Sequence, residues 1–189
     1  YFSFLLKPKI DATRFPRLTL MTVLAVANAI NTICHSKATL KWPNDILLNG
    51  KKICGILAEY CEDQNAVVIG VGINVNQRQF PEILKEIATS LRIEIGESVD
   101  RVTLLHSVIN HLDQEYENFL AGGEQGLARR WTDLSDMFGK KISLAHGTKT
   151  LHGVALGLND FGNLIVRTED GRELAFDSGE VTMLKNPRM

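Results

Sequence analysis

Residues 41–76 read KWPNDILLNGKKICGILAEYCEDQNAVVIGVGINVN, and the reading of this stretch decides the fold. Trp42-Pro43-Asn44-Asp45 cannot continue a strand, because Pro43 has no backbone donor and biases Trp42 towards an extended conformation, so the chain bends there. Ile46–Leu48 resumes extended structure. Asn49-Gly50 is a strong hairpin signal, since both central positions of the mirror-image turn accept positive φ, and Lys51–Tyr60 is therefore the returning strand. Val67–Val75 (VVIGVGINV) is a third apolar, β-branched run. Its Gly70 and Gly72, two apart, leave one sheet face bare for the close approach of a flat ligand or another backbone. The three strands make a meander with a polar rim, and polar groups so close to apolar runs suggest a site.

On the N-terminal side, Tyr1–Leu6 is an apolar strand ended by Lys7-Pro8, followed by a loop to Pro16. From Arg17 to about Ser36 apolar residues occupy most faces, as in a helix sandwiched between a sheet and other helices. Asn28 and Asn31 within it are read as local hydrogen-bonding residues. On the C-terminal side, Pro81–Leu91 (PEILKEIATSL) is predicted to be an amphipathic helix opening on proline, with Ile83, Leu84, Ile87 and Leu91 on one side. Asp100 precedes the clearest helix, with Val102, Leu105, Ile109, Leu112, Tyr116 and Phe119 as the expected buried stripe, ended by Gly122-Gly123. Gly126–Leu134 is a short further helix whose Trp131 is expected where two domains meet. From Phe138 the texture changes to five short strands separated by turn signals at His146-Gly147, Asn159–Gly162, Asp170-Gly171 and Ser178-Gly179, the pattern of a small closed barrel.

The chain has 189 residues, 44% hydrophobic and 23% charged, enough for a real core. Its net charge of −1 offers no field for nucleic-acid phosphates, so nucleic acid is not an expected partner. Cys34, Cys54 and Cys61 have none of the close pairings of zinc sites and are read as reduced thiols in or near the core. His106 and His111 fall on different helix faces, against a shared metal. No apolar run approaches a membrane span, no signal pattern opens the chain, and the cytoplasm is the expected location.

KWPND, then GKKICGIL, then GVGINVN, in this order and spacing, resemble the catalytic domain of a biotin–protein ligase, and the likeness extends over nearly the whole chain. The resemblance implies an α+β fold: a mixed, mainly antiparallel sheet with packed helices, like class II aminoacyl-tRNA synthetases, followed by a small all-β barrel. It implies a catalytic domain at 1–136 and a C-terminal domain at 137–189. It also implies an enzyme that activates biotin with ATP and Mg2+ to biotinyl-5′-adenylate and transfers biotin to a lysine of a biotin carboxyl carrier protein or domain. A homodimer is compatible with it. In this family an arginine- and glycine-rich loop precedes a strand like Tyr1–Leu6, so the sequence, opening at Tyr1 without Met, is expected to be a fragment. A lipoate-ligase-like adenylating enzyme and a non-catalytic ligand-binding or dimerising module are the competing readings.

Adenylation joins two anions and grows charge on pyrophosphate, so fixed cations are required. Lys52 matches the family's catalytic lysine and is expected to act as a point charge towards biotin carboxylate and phosphate; the plainer alternative is a solvated strand lysine. Lys51 points to the other face. Lys41 and Asp45 flank the proline turn. Asp45 either orients a lysine or meets phosphate-bound magnesium, or is a turn residue bonding its own backbone. By resemblance, Gly55 and Leu57 offer main-chain groups to biotin, and Asn74 reads adenine with an amide that is both donor and acceptor. Trp42 is read as core. Glu180 begins the last strand, where relatives send polar groups towards the nucleotide, but Leu184 stands where some have arginine, with Lys185 one place on.

Overall fold

A computed structural model describes residues 1–34, 36–123 and 125–184 of the chain; Lys185 lies outside them. The first unit is a five-stranded sheet. Its strands are β1 (Phe2–Leu6), β2 (Thr39–Lys41), β3 (Asp45–Leu48), β4 (Lys51–Cys61) and β5 (Ala66–Ile73), in the order β1-β5-β4-β3-β2 with every neighbouring pair antiparallel. The local signals act as the sequence predicts: Asn49 and Gly50 take φ of 50° and 77° at the β3–β4 turn. Between β2 and β3 the Trp42–Pro43 peptide is cis, and Trp42 is buried.

Helix α1 (Phe15–Asn31) covers one sheet face, with Leu18, Val23, Ala25, Val26, Ala27, Ala29 and Ile30 wholly inaccessible. It stops before the predicted Ser36, where the Asn31 side chain turns to accept from Ala38 N at 2.7 Å. Helix α2 (Leu91–Ile95) is short and is capped by Ser90. The predicted helix over 81–91 does not form. Only a 3-10 turn, Glu82–Leu84, appears, and Ile83 and Ile87 are 85% and 59% exposed. The backbone there is drawn elsewhere: Lys52 N donates to Ile87 O (2.8 Å) and Thr89 N to Lys52 O (3.0 Å), so the segment lies beside β4.

Helix α3 (Arg101–Asn118) begins at Asp100, whose carboxylate accepts from Thr103 N at 2.8 Å and is held below the usual carboxylate range by Thr103. Its buried stripe is Leu104, Val108, Leu112 and then Phe119; Leu112 and Phe119 lie in the predicted stripe, Leu104 and Val108 do not, and Val102 and Ile109 face outward. One helical period fits both sets; packing against α1 selects the row. Helix α4 (Leu127–Asp133) carries Trp131, fully buried and edge-on to Phe138 with centroids 6.2 Å apart.

The C-terminal strands are β6 (Lys141–His146), β7 (Lys149–Leu158), β8 (Leu164–Thr168), β9 (Glu173–Phe176) and β10 (Glu180–Met183). They form a second antiparallel sheet, β10-β6-β7-β8-β9, around Ile142, Leu144, Ala155, Leu164, Val166 and Val181. Its β7–β8 turn is pinned to the first unit, because Trp42 Nε1 donates to Gly162 O at 3.1 Å. No helix among the described residues is long and apolar enough to cross a membrane.

Candidate functional site

The sheet face away from α1 is floored by glycine. Gly55 and Gly72 are direct partners across β4 and β5, and Leu57 is opposite Gly70. A Cβ at Gly72 would come within 2.9 Å of the Tyr1 ring, and one at Gly70 within 3.5 Å of Ser3 Oγ, so aromatic and hydroxyl groups lie directly on bare backbone.

Lys52 reaches this floor through an irregularity. In β3 and β4, Asp45 pairs with Gly55 and Ile46 with Cys54, but Leu47 pairs with Lys52, which leaves Ile53 as an extra residue. Residues 52 and 55 of a regular strand would point to opposite faces. The bulge lets Ile53 and Cys54 both enter the core and turns Lys52 to the side of Gly55. There its ammonium lies 2.6 Å from Asp45 Oδ1. A Cβ on Gly55 would be 3.1 Å from Lys52 Cε and 3.2 Å from Nζ, so the lysine rests flat on the glycine. Beneath it the Cys54 thiol is pushed up to about 12 by burial and by the Asp45 charge, and is inert.

Two hollows meet at Lys52. One, of about 340 Å³, runs along the floor past Ser3, Asn44, Gly55, Leu57, Gly70 and Gly72. The other, of about 480 Å³, is lined by Lys52, Gly55, Asn74 and Gln77 with Phe80, Leu84 and Ile87 as an apolar wall. A third, of about 420 Å³ between β5 and α3, is lined by Ile73, Val75, Leu104, Leu105 and Val108 with Gln77 and Arg101, and holds none of the predicted site residues. The Lys52–Asp45 pair on the Gly55–Gly72 floor distinguishes the first two from the others, which include one of about 750 Å³ beside Arg17, Arg129 and Asp160.

The structure thus brings together Lys52, Asp45 and Gly55, sets Leu57 along the same floor and puts Asn74 on the far wall. Asn74 is fastened by its main chain, donating to Ile53 O at 2.8 Å and accepting from Leu91 N at 3.0 Å, and its Oδ1 accepts from Gln77 Nε2 at 3.4 Å. Lys41 stands opposite Asp45 across β2 and β3 and leaves the sheet on that face, yet it lines neither hollow. Lys51 turns away to Lys85 O at 2.7 Å. Sequence reasoning missed Asn44, which grips β4 by accepting from Ile56 N (3.1 Å) and donating through its amide to Ile56 O; its place inside KWPND was the available signal. It also missed the wall at Phe80, Leu84 and Ile87, hidden by the helical reading. Among the described residues no three His, Cys, Asp or Glu side chains are grouped for a metal, and Asp45 already holds Lys52.

Residues 1–76 match the Biotin/lipoate A/B protein ligase family, and residues 137–184 match the Biotin protein ligase C terminal domain. The chain is 35% identical over 176 residues to the bifunctional ligase/repressor BirA of Bacillus spizizenii, covering 90% of this chain and 54% of that one, so it spans about half that relative's length. It is 29% identical over 180 residues to the biotin–[acetyl-CoA-carboxylase] ligase of Paracoccus denitrificans, covering 91% of this chain and 75% of that one. A solved structure, the biotin protein ligase of Aquifex aeolicus in complex with biotin and ATP, superposes with a TM-score of 0.84 at 31% identity, over 98% of this chain and 78% of that one.

Proposed function

The chain belongs to the biotin protein ligase family, and from that premise we propose that it joins biotin to ATP as biotinyl-5′-adenylate and passes the biotinyl group to a lysine of a biotin carboxyl carrier domain. Residues 1–136 would form the catalytic domain and 137–189 the C-terminal one. The observation that carries the reading is Lys52, laid on Gly55, tied to Asp45 and standing where the two hollows meet.

In the first step a carboxylate oxygen of biotin attacks the α-phosphorus of ATP, the bond to the β-phosphate bridging oxygen breaks, and pyrophosphate leaves. Both reactants are anions, so a cation between them lowers the barrier. Lys52 supplies it, and Asp45 holds the lysine's direction before the substrates arrive. The glycine floor takes a flat fused ring against the main chain of Gly55 and Leu57. Asn74 offers its amide to adenine, with Phe80, Leu84 and Ile87 as apolar cover. In the second step the carrier amine attacks the anhydride carbonyl and AMP leaves. Magnesium would arrive on the phosphates of ATP, because Asp45 alone is far short of the six or so oxygen ligands a hard cation wants.

ATP–pyrophosphate exchange in the presence of biotin tests this reading. Exchange with biotin and not with lipoate is the expected result; tighter binding of lipoate in calorimetric titration would sink the biotin assignment, and no exchange by the full-length protein would leave a binding module. Asn74→Ala is expected to weaken ATP by about five- to a hundredfold, the scale of one lost hydrogen-bond pair, while biotin affinity holds. Titration with each ligand separately checks it, and equal loss for both would remove Asn74 from the site. Gly55→Ala should leave the melting midpoint nearly unchanged, because the group that must yield is the half-exposed end of Lys52. Displacing that ammonium by a few tenths of an ångström is expected to slow exchange roughly tenfold.

A further inference from the structure

Glu94 on α2 has no part in the chemistry above, yet its carboxylate makes a bridge. Oε2 accepts from Asn49 Nδ2 at 2.5 Å and Oε1 accepts from the hydroxyl of buried Thr89 at 2.5 Å. One side chain therefore joins the tip of the β3–β4 turn to the segment that enters α2. That segment grips the main chain of Lys52, which stands between the two substrates, and of Asn74, which is assigned to adenine. Ile87 O and Thr89 N bracket the main chain of Lys52 at 2.8 and 3.0 Å, and Leu91 N donates to Asn74 O at 3.0 Å. The chain leading into it has only a single 3-10 turn, Glu82–Leu84, with Ile83 and Ile87 exposed, whereas Thr89, Ser90 and Leu91 are buried, so the hold on Lys52 and Asn74 is set at 89–91. Hydrogen bonds to a carboxylate are the strong kind and fix direction as well as distance.

Resting on the ligase reading, we propose that Glu94 is a positioning residue for nucleotide activation: it latches the 87–91 segment to the β3–β4 turn and so holds Lys52 and Asn74 in the mutual arrangement that ATP needs. Lys52 keeps its seat on Gly55 and its tie to Asp45 without the latch, whereas Asn74 is held on its carbonyl side by Leu91, so ATP should lose more than biotin when the latch is lost.

The test uses the full-length protein with Glu94→Ala and Glu94→Gln, measured by ATP–pyrophosphate exchange, by separate titration with ATP and with biotin, and by thermal melting. Glu94→Ala is expected to lower ATP affinity and exchange rate each by roughly tenfold, with biotin affinity held within about twofold. Glu94→Gln keeps an acceptor for Thr89 but turns an NH2 towards the Asn49 amide, so its loss should be smaller. Combining Asn49→Asp with Glu94→Gln reverses donor and acceptor across the same bond, and position 49 tolerates aspartate at its positive φ. That exchange should restore most of what Glu94→Gln lost. Unchanged exchange in Glu94→Ala overturns the inference, as does parallel loss of both ligands with a lowered midpoint and no restoration by the exchanged pair. If the parent protein itself catalyses no exchange, the ligase reading falls and takes the inference with it.

Discussion

Lys52→Ala is expected to abolish adenylate formation while the fold survives. The side chain is half exposed and rests on glycine, so its removal opens no cavity in the core. Its ion pair with Asp45, with the two side chains 48% and 16% exposed, contributes about 0–1 kcal/mol to stability once solvent screening is allowed for. Its contribution to the reaction is much larger. In the proposed reaction the ammonium faces carboxylate and phosphate together, and a contact that strengthens as charge develops is worth roughly 3 kcal/mol or more, about a hundredfold or greater in rate. Lys52→Arg should not rescue. A planar guanidinium fork needs more room over Gly55 than a compact ammonium does, and it spreads the charge that the site focuses. Pyrophosphate exchange with saturating biotin and ATP, beside a thermal melt, is the measurement. Near-parent exchange in Lys52→Ala would transfer the role to another cation on that face, of which Lys41 is the first to try.

Trp131→Ala should produce the largest loss of stability. The indole is fully buried between α4 and the start of the C-terminal strands, edge-on to Phe138. Truncating such a ring leaves a cavity lined by both units and costs roughly 3–5 kcal/mol, against a total of about 5–15 kcal/mol for a folded domain. Trp131→Phe has a different balance. Nε1 of Trp131 is buried without a hydrogen-bond partner among the described residues, so phenylalanine removes an unsatisfied donor while keeping most of the aromatic area. It is expected to cost less than half of what alanine does. Urea unfolding midpoints of the two variants decide this, and equal losses would mean that the indole nitrogen is satisfied in solution.

Much of the fold was legible because its signals are local. Asn49-Gly50 needs no partner to favour a tight turn, Asp100 caps the helix that follows it, and the glycines at 70 and 72 announce a bare face by their spacing alone. Lys52, Asp45 and Gly55 were named from the motifs, but a regular strand would have set Lys52 and Gly55 on opposite faces. The bulge at Ile53 unites them, and a bulge is settled by the register of β4 against β3, where the core takes both Ile53 and Cys54. The misread 81–91 segment has the same origin. Its apolar residues fit a helical period, but Lys52 captures the main chain at Ile87 and Thr89, and ladder hydrogen bonds outweigh a weak helix propensity. In α3 the predicted stripe holds at Leu112 and Phe119 and fails at Val102 and Ile109, since a sequence gives the spacing of a stripe and the neighbouring helix decides which residues at its edge are covered. The sequence by itself determined the Asn49-Gly50 turn and the Asp100 cap, which depend on residues adjacent in the chain. Which groups share a face was left to tertiary pairing, because a shift of one residue in strand register reverses every side chain beyond it.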